Sequence, residues 1–437
     1  MDGPDRPELI GYVDPFVARA GEAVELMVST TAATWDYRVV RLLHGDRNPA
    51  GPGFKVAEVR PRMAGTGLPG GLQVTHAGSF AQAPPLPGLA AAKRVLLRLW
   101  AQPTLVGDGR RQVLLSSHDD AGGPGFELAL TGEGCFELKA GGGIRVALAG
   151  PARAGAWCRL TAELDALEGT VALALRRAHG LPAAARLGEE ERAEGRAGAL
   201  DVAFGGPLVM AASAGSGLAG PLGVGEHFNG KLEAPEILAA GAAGEALRCV
   251  ARWDLGDGVA GDRVPDRGPG ASHARLVNGP ARAVTGSRWV SATTDFAAAP
   301  EQYGAVHFHD DDLDDARWTP ALRLELPPEL ASGVYAVELR AGELVDHVPL
   351  VVAAGAPGRA ARGRPAHLHL HRVRERADDR PLRLPCGRRS RAARRARRAR
   401  PAAGTASRMG PLALRPAHRR LAGGDRRPAA PGAEPAP

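Results

Sequence analysis

Cysteine is scarce: four residues in a chain of 437 (Cys135, Cys158, Cys249, Cys386), scattered and without a CxxC pair. That spacing excludes the common zinc-ribbon signature and fits a reducing compartment. Aromatic residues make up only 4% of the chain. Runs of 18 apolar residues are absent, so no membrane-spanning helix is expected. The first residues, MDGPDRPELIGY, contain neither a basic n-region nor an apolar h-region, so a secretory signal is not expected and the predicted location is cytoplasmic. GxSxG, HExxH and a Cys–His pair at useful spacing are also missing. What the chain has in excess is turn residues. Its 58 Gly and 36 Pro together exceed a fifth of all positions, which argues against a helical bundle and for short strands. The length suggests two or three domains.

The overall net charge of +7 hides two unlike parts. Residues 358–437 hold 22 Arg, no Lys, five acids and no Phe, Trp or Tyr, a net of +17; the rest of the chain is at −10. Such a tail cannot build an ordinary core and is expected to be disordered. It can bind nucleic acid only non-specifically, through phosphates. Natural basic tails usually mix Lys with Arg. An Arg, Ala, Pro and Gly mixture is what GC-rich codons yield out of frame.

The body reads as all-β. Val24, Leu26 and Val28 alternate as in a half-buried strand, and residues 37–43 (YRVVRLL) form another. Residues 63–71 are a Gly/Pro-rich linker. Short strands follow around Val95–Leu99 and Phe126–Leu130, with hairpins turning at 131–134 and 165–169. Their length and spacing predict an antiparallel sandwich or jelly roll. Residues 181–198 (LPAAARLGEEERAEGRAG) are the most helix-like piece and are expected to be an exposed insertion. Strand patterns resume at 304–308, 321–326, 333–340 and 347–352. The segment LPPELASGVYAVELRAG resembles the last hairpin of an immunoglobulin-like domain, which needs about seven strands. Each flank of the middle block supplies only about half of them. The expected architecture is therefore one immunoglobulin-like sandwich split by an inserted jelly roll: 8–62 and 290–355 around 63–289, then the tail from 356 to 437.

Candidate sites mostly fail. Residues 225–231 (GEHFNGK) have the spacing of a phosphate-binding loop, but Leu232 stands where Ser or Thr must bind magnesium. The expected structure is a β-turn at Asn229-Gly230. GTGLPG (65–70) fits GxGxxG by letter only. HFHDDDLDD (307–315) is the most suggestive stretch, since His307 and His309 share one side of a strand and the carboxylates are hard ligands. The plainer reading, an edge strand entering a solvated acidic loop over which Trp318 closes, is preferred to a metal site. Trp100, Trp157, Trp253 and Trp289 are read as core rather than ligand platform. Ser116-Ser117 before Asp119-Asp120 is a weak candidate loop for sugar or calcium. Catalytic, cofactor-binding and metal residues are thus all assigned as none.

Six segments carry a family resemblance: YVDPFVARAGEAVELMVST (12–30), VRLLHGDRNPAGPGFK (40–55), EHFNGKLEAPEI (226–237), RLVNGPARAVTGSRW (275–289), YGAVHFHDDDLDDARW (303–318) and LPPELASGVYAVELRAG (326–342). In this order they are similar to the N-terminal, non-catalytic part of the N,N-dimethylformamidase large (beta) subunit family. The resemblance covers about residues 8–355. It implies that the middle block is a laminin-G/concanavalin-like jelly roll. For the intact enzyme it implies hydrolysis of an N-substituted formamide to formate and an amine. That chemistry is expected in a C-terminal α/β domain, at a mononuclear iron held by Tyr and Glu, with a small partner subunit and self-association. No matched segment carries a family metal ligand. This chain is therefore expected to hold no cofactor and to be inactive by itself.

The resemblance stops at about Ala356. Reading the codons from Ala366 onward one base later permits Pro-Thr-Phe-Thr-Tyr-Thr-Ala-Tyr-Ala-Asn-Glu, similar to the family's Tyr-bearing motif. Across 362–366 the shifted triplets permit Val-Val-Val-Leu, the apolar strand expected before it. A frameshift accounts for the tail, and with it for loss of the iron domain. The alternative is a free-standing laminin-G-like protein with a basic tail that binds carbohydrate or protein.

Overall fold

The computed structural model describes residues 8–45, 50–118, 125–214 and 223–354. Nearly all regular structure in these residues is β; helix occurs only as short 3-10 turns such as Pro87–Leu89 and Pro300–Gln302. The all-β expectation is correct. The fate of the tail, of Asp119-Asp120 and of Cys386 lies outside the described residues.

One sandwich is assembled from the two flanks. Ala23–Thr30 pairs on one side with Leu9–Asp14 and on the other with Leu322–Glu325. The opposed sheet runs Val17–Arg19, Leu344–Ala353, Gly333–Ala341, Thr34–His44, and then Lys55–Glu58 and Ala64–Pro69 on the last strand's far edge. The alternating Val24, Leu26 and Val28 turn inward against Trp35, Tyr335, Leu339, Val348 and Leu350. Trp35 is 2% exposed, and burial of so large a side chain is worth about 3–5 kcal/mol against Ala. Tyr335, at the start of its strand, donates its hydroxyl to the Ala331 carbonyl at 2.5 Å. This is the tyrosine corner of immunoglobulin-like sandwiches.

Between the flanks, two larger sheets face each other. The first runs Ile144–Pro151, Cys135–Ala140, Phe126–Leu130, Gln112–Ser117, Leu208–Met210, Phe80–Ala83, Ala274–Val277 and Arg263–Val264. The second runs Leu187–Arg196, Thr170–Ala178, Cys158–Asp165, Arg94–Pro103, Gly230–Ala240, Ala305–Phe308 and Ala281–Val284, with Arg248–Arg252 also on Gly230–Ala240. Inward-facing Leu97, Leu99, Leu128, Phe136, Leu160, Leu173, Trp253 and Phe308 make one core. The alternation of these apolar residues with outward polar ones along each strand is what closes the pair of sheets over it. Both predicted hairpins form, Phe126–Leu130 with Cys135–Ala140 and Cys158–Asp165 with Thr170–Ala178.

Four expectations need correction. The helix-like 181–198 contains the strand Leu187–Arg196, at the edge of the second sheet. Its helix propensity yields to a ladder with Thr170–Ala178, and its charges suit an edge open to water. The supposed linker at 63–71 is the strand Ala64–Pro69, whose Pro ends an edge where no N–H is needed. Ala305–Phe308, counted with the second flank, pairs instead with Gly230–Ala240 and Ala281–Val284, so it is an interior strand of the large sheet. Asn229-Gly230 is no hairpin turn either: Val224–Gly225 pairs with Ser213–Ala214, while Gly230–Ala240 enters the second sheet.

The chain enters and leaves the large sandwich at one place. The Gln73 side chain accepts the Thr319 N–H at 2.7 Å and donates to the Thr319 carbonyl at 3.0 Å, like one rung of a ladder. Beside it the Trp318 indole donates to the Val74 carbonyl at 3.2 Å. Trp318 packs with Ile10, Tyr12, Met27, Leu313 and Ala316 in a small apolar cluster on the outer face of the three-stranded sheet.

Candidate functional site

The acidic stretch at 307–315 leaves the interior strand Ala305–Phe308. His307 and His309 do share a side, their rings 3.9 Å apart between centroids. Burial, with the His309 and Lys231 charges adding to it, lowers the His307 pKa to about 4, so this imidazole is neutral at neutral pH. The carboxylates that follow are committed to the fold. Asp312 accepts from the Ser79 hydroxyl at 2.8 Å and lies 3.2 Å from His309 Nδ1. Asp310 pairs with Arg110, and its N–H donates to the Asn229 side chain. Asp314 lies 3.4 Å from Arg317, and Asp315 accepts the Arg317 N–H and the Tyr12 hydroxyl. Backbone bonds from Gly78 to Asp312 and from Ser79 to His309 fasten the loop to the neighbouring chain. The loop is thus a fastening, less solvated than expected, and Trp318 seals its far end against Tyr12 at 5.5 Å.

GEHFNGK builds no phosphate cradle. Lys231 donates to the Thr285 carbonyl and hydroxyl at 3.2 and 2.9 Å, and burial lowers its pKa. Glu226 is drawn into an ionic cluster on the first large sheet, 2.5 Å from Arg111. Arg111 also meets Glu127 at 2.7 Å, and Lys139 and Arg145 approach Glu137. Burial alone would raise the Glu127 carboxyl. Hydrogen bonds from His118 and Ser213 and the Arg111 charge overcome it and bring the pKa down to about 2. Single-sequence reasoning missed this cluster because its members come from several strands and loops far apart in the chain. The one local signal was the Glu127/Glu137/Lys139 alternation on neighbouring strands.

Trp157 and Trp253 are buried as expected, whereas Trp100 and Trp289 are only half-buried. The cysteines Cys135, Cys158 and Cys249 are free, and burial pushes the Cys158 thiol up to about 12, leaving it inert at neutral pH. A mononuclear iron on Tyr and Glu oxygens does not fit what is present. Among the described residues no three His, Cys, Asp or Glu side chains come together as ligands. The Tyr12, Tyr303 and Tyr335 hydroxyls are spent on Asp315, the Thr293 carbonyl and the Ala331 carbonyl. No described helix is long and apolar enough to cross a membrane.

Comparison with known proteins bears directly on these features. The family model described as N,N-dimethylformamidase beta subunit-like, C-terminal, matches residues 281–370. The N,N-dimethylformamidase beta subunit of Paracoccus aminophilus is 32% identical over 381 residues, covering 78% of this chain and 48% of that protein. The beta subunit from Alcaligenes sp is 30% identical over 374 residues, with the same coverage of 78% and 48%. The chain thus spans about half the length of the curated relatives it matches. Among solved structures, the LG1-3 region of the laminin alpha2 chain aligns with a TM-score of 0.28 at 9% identity, covering 77% of this chain and 76% of that one. A SAP-like pentraxin from Limulus polyphemus aligns at 0.25 and 10%, covering 46% and 75%. The strand pairings, rather than these distant likenesses, define the fold. The resemblance carried by the six motifs is correct.

Proposed function

We propose, from this chain's relationship to the N,N-dimethylformamidase beta subunits, that it is the N-terminal β scaffold of an N,N-dimethylformamidase-like amidohydrolase large subunit. The observation that carries this reading is 30–32% identity sustained across 78% of the chain. In the intact enzyme the reaction is hydrolysis of an N-substituted formamide to formate and an amine, at an iron centre outside the described residues. The small partner subunit and self-association belong to that assembly, in the cytoplasm. The scaffold consists of an immunoglobulin-like sandwich, about residues 8–73 and 319–354, around an inserted laminin-G/concanavalin-like jelly roll. The Gln73–Thr319 rung and the pairing of Ala23–Thr30 with Leu322–Glu325 support those limits over 8–62 and 290–355.

The Arg-rich end is the product of a frameshift near codon 357, which removes the iron domain. Its support is the shifted reading of residues 362–376 and the Arg-rich, aromatic-free composition of residues 358–437; the family match runs to residue 370, further than the resemblance carried by the six motifs. Nucleotide sequence across codons 350–375, with expression of the restored frame, tests both statements. The restored chain with its small subunit is expected to release formate from dimethylformamide, and the 437-residue chain to release none above a heat-killed control. Formate release by the present chain, or a restored frame that encodes no apolar strand and Tyr-bearing turn, overturns the reading.

A further inference from the structure

On the outward side of the Arg94–Pro103 strand, Arg98 and Trp100 alternate with the core residues Leu97 and Leu99. Across the ladders Trp100 stands beside Arg159 and Glu233, and Arg98 beside Thr161 and Glu236. Between Glu233 and Glu236 the Gly230–Ala240 strand carries Ala234 and Pro235 against the single residue Leu99, a β-bulge. Ala234 takes φ +49°, in the left-handed region that is strained for a non-glycine residue. Bulges bend a strand and re-aim its side chains, and they concentrate beside binding sites. Here the bulge borders a hollow of about 200 Å³ lined by Arg98, Trp100, Arg159, Glu236 and Arg252.

The charge of this hollow is one-sided. Three guanidinium groups face one carboxylate, and Glu236 is already 3.7 Å from Arg98. Among the described residues the Arg159 and Arg252 side chains have no hydrogen-bond or ion-pair partner, and both are exposed. What the hollow offers is therefore a half-buried indole and two unpaired guanidinium forks. Its volume is below the roughly 300 Å³ at which pockets for drug-sized ligands begin, room for a single ring.

We propose that this hollow binds a small ring-bearing carboxylate, with the ring against Trp100 and the carboxylate taken by Arg159 and Arg252. Guanidinium forks match a carboxylate with two parallel N–H···O bonds, and an indole face covers a flat or cyclic body. An aromatic acid and a uronic acid share that chemistry. The site stands apart from the amidohydrolase reading, because it uses only the jelly roll's outer face.

The test is calorimetry and saturation-transfer NMR on the full chain. The probes are benzoate, glucuronate, their neutral counterparts benzamide and glucose, and inorganic sulfate. At least one of the two acids is expected to bind saturably and its neutral counterpart at least about tenfold more weakly, since the neutral ligand forgoes the charge-assisted bonds to the guanidinium forks. Benzoate alone assigns an aromatic acid, and glucuronate alone a sugar acid. The double variant Arg159→Ala/Arg252→Ala should lose about tenfold or more in affinity while its thermal unfolding is unchanged, both side chains being exposed. The proposal is overturned by absence of saturable binding of either acid. It is equally overturned if benzamide or glucose binds as well as its acid, if the double variant keeps full affinity, or if sulfate binds as tightly as the ring acids.

Discussion

Glu338 is a buried carboxylate of the outer sandwich that gathers Arg38, Arg340 and His347 around it. It is 2% exposed and holds Arg38 through two bonds of 2.9 Å and Arg340 at 2.5 Å. Arg38 and Arg340 are themselves largely exposed, so loss of the carboxylate leaves both charges in water. Glu338→Ala should therefore destabilise by about 1–2 kcal/mol, and Arg38→Ala, which leaves Arg340 in place, by less than about 1 kcal/mol in urea denaturation. Tyr335→Phe, losing only the corner bond, should cost about 0.5–1.5 kcal/mol. The pH dependence follows from Glu127 and His307. Glu127 binds its proton more weakly folded than unfolded, so its stabilisation is complete above its ordinary pKa of 4.5 and is lost as pH falls toward about 2. An unfolded His307 takes up a proton near 6.5 that the folded imidazole refuses until about 4, so acidification across that interval also destabilises. The thermal midpoint should fall in two overlapping stages below pH 6.5. In Glu127→Gln the lower stage should be flattened, and a midpoint curve of unchanged shape would refute the assignment.

At the scale of elements, strands built on strict alternation were legible in the sequence. Val24–Val28, Val95–Leu99 and both hairpins stand where their apolar period places them. What failed was the reading of composition without its partner. Leu187–Arg196 has a helix former's residues, yet Arg192 reaches Glu163, two strands away, at 3.0 Å. Only a sheet neighbour supplies that contact. GTGLPG looked like punctuation because its strand status rests on Thr34–His44, not on its own side chains. The Gly70 position shows the constraint: a Cβ there would lie 1.9 Å from the Ala32 carbonyl oxygen. Gly70→Ala should cost at least about 1–3 kcal/mol by overpacking against rigid backbone. Gly71→Ala, with no atom within 4 Å of its Cβ, should be nearly neutral; equal effects at both positions would refute the strand's seating. The candidate sites were legible only as lists of residues. That Asp310 and Asp312 are spent on Arg110 and Ser79 depends on neighbours about 200 residues distant in the chain.

For the whole molecule, the decisive feature is that Gly78 and Asp312 are joined by a 2.8 Å backbone bond, with Gln73 and Thr319 joined just outside them. Closing a long loop costs little more than closing a short one. A chain lacking residues 75–312, bridged by a few Gly and Ser, should therefore remain soluble and unfold cooperatively, keeping Trp318 over Tyr12 and Ile10. Circular dichroism on melting checks this, and a chain without a transition would show that the outer sandwich needs its insertion. Gln73→Ala should lower the melting point of the intact protein only modestly, since the neighbouring backbone bonds persist.

The register that sets Val24 opposite Leu324 has a consequence in time. At synthesis rates of about 5–20 residues per second, Ala23–Thr30 leaves the ribosome roughly 15–60 s before Leu322–Glu325 exists. During that wait Leu9–Asp14 covers one edge of the strand and the other stays open, an unprotected edge of the kind that recruits foreign strands. The insertion sets the length of this wait and also the point at which it ends. Once the jelly roll has closed, Gly78 and Asp312 are held together, and the last strands need only reach across a few residues. The nascent chain is thus most exposed while the insertion is half made, and a translational pause would be most harmful there.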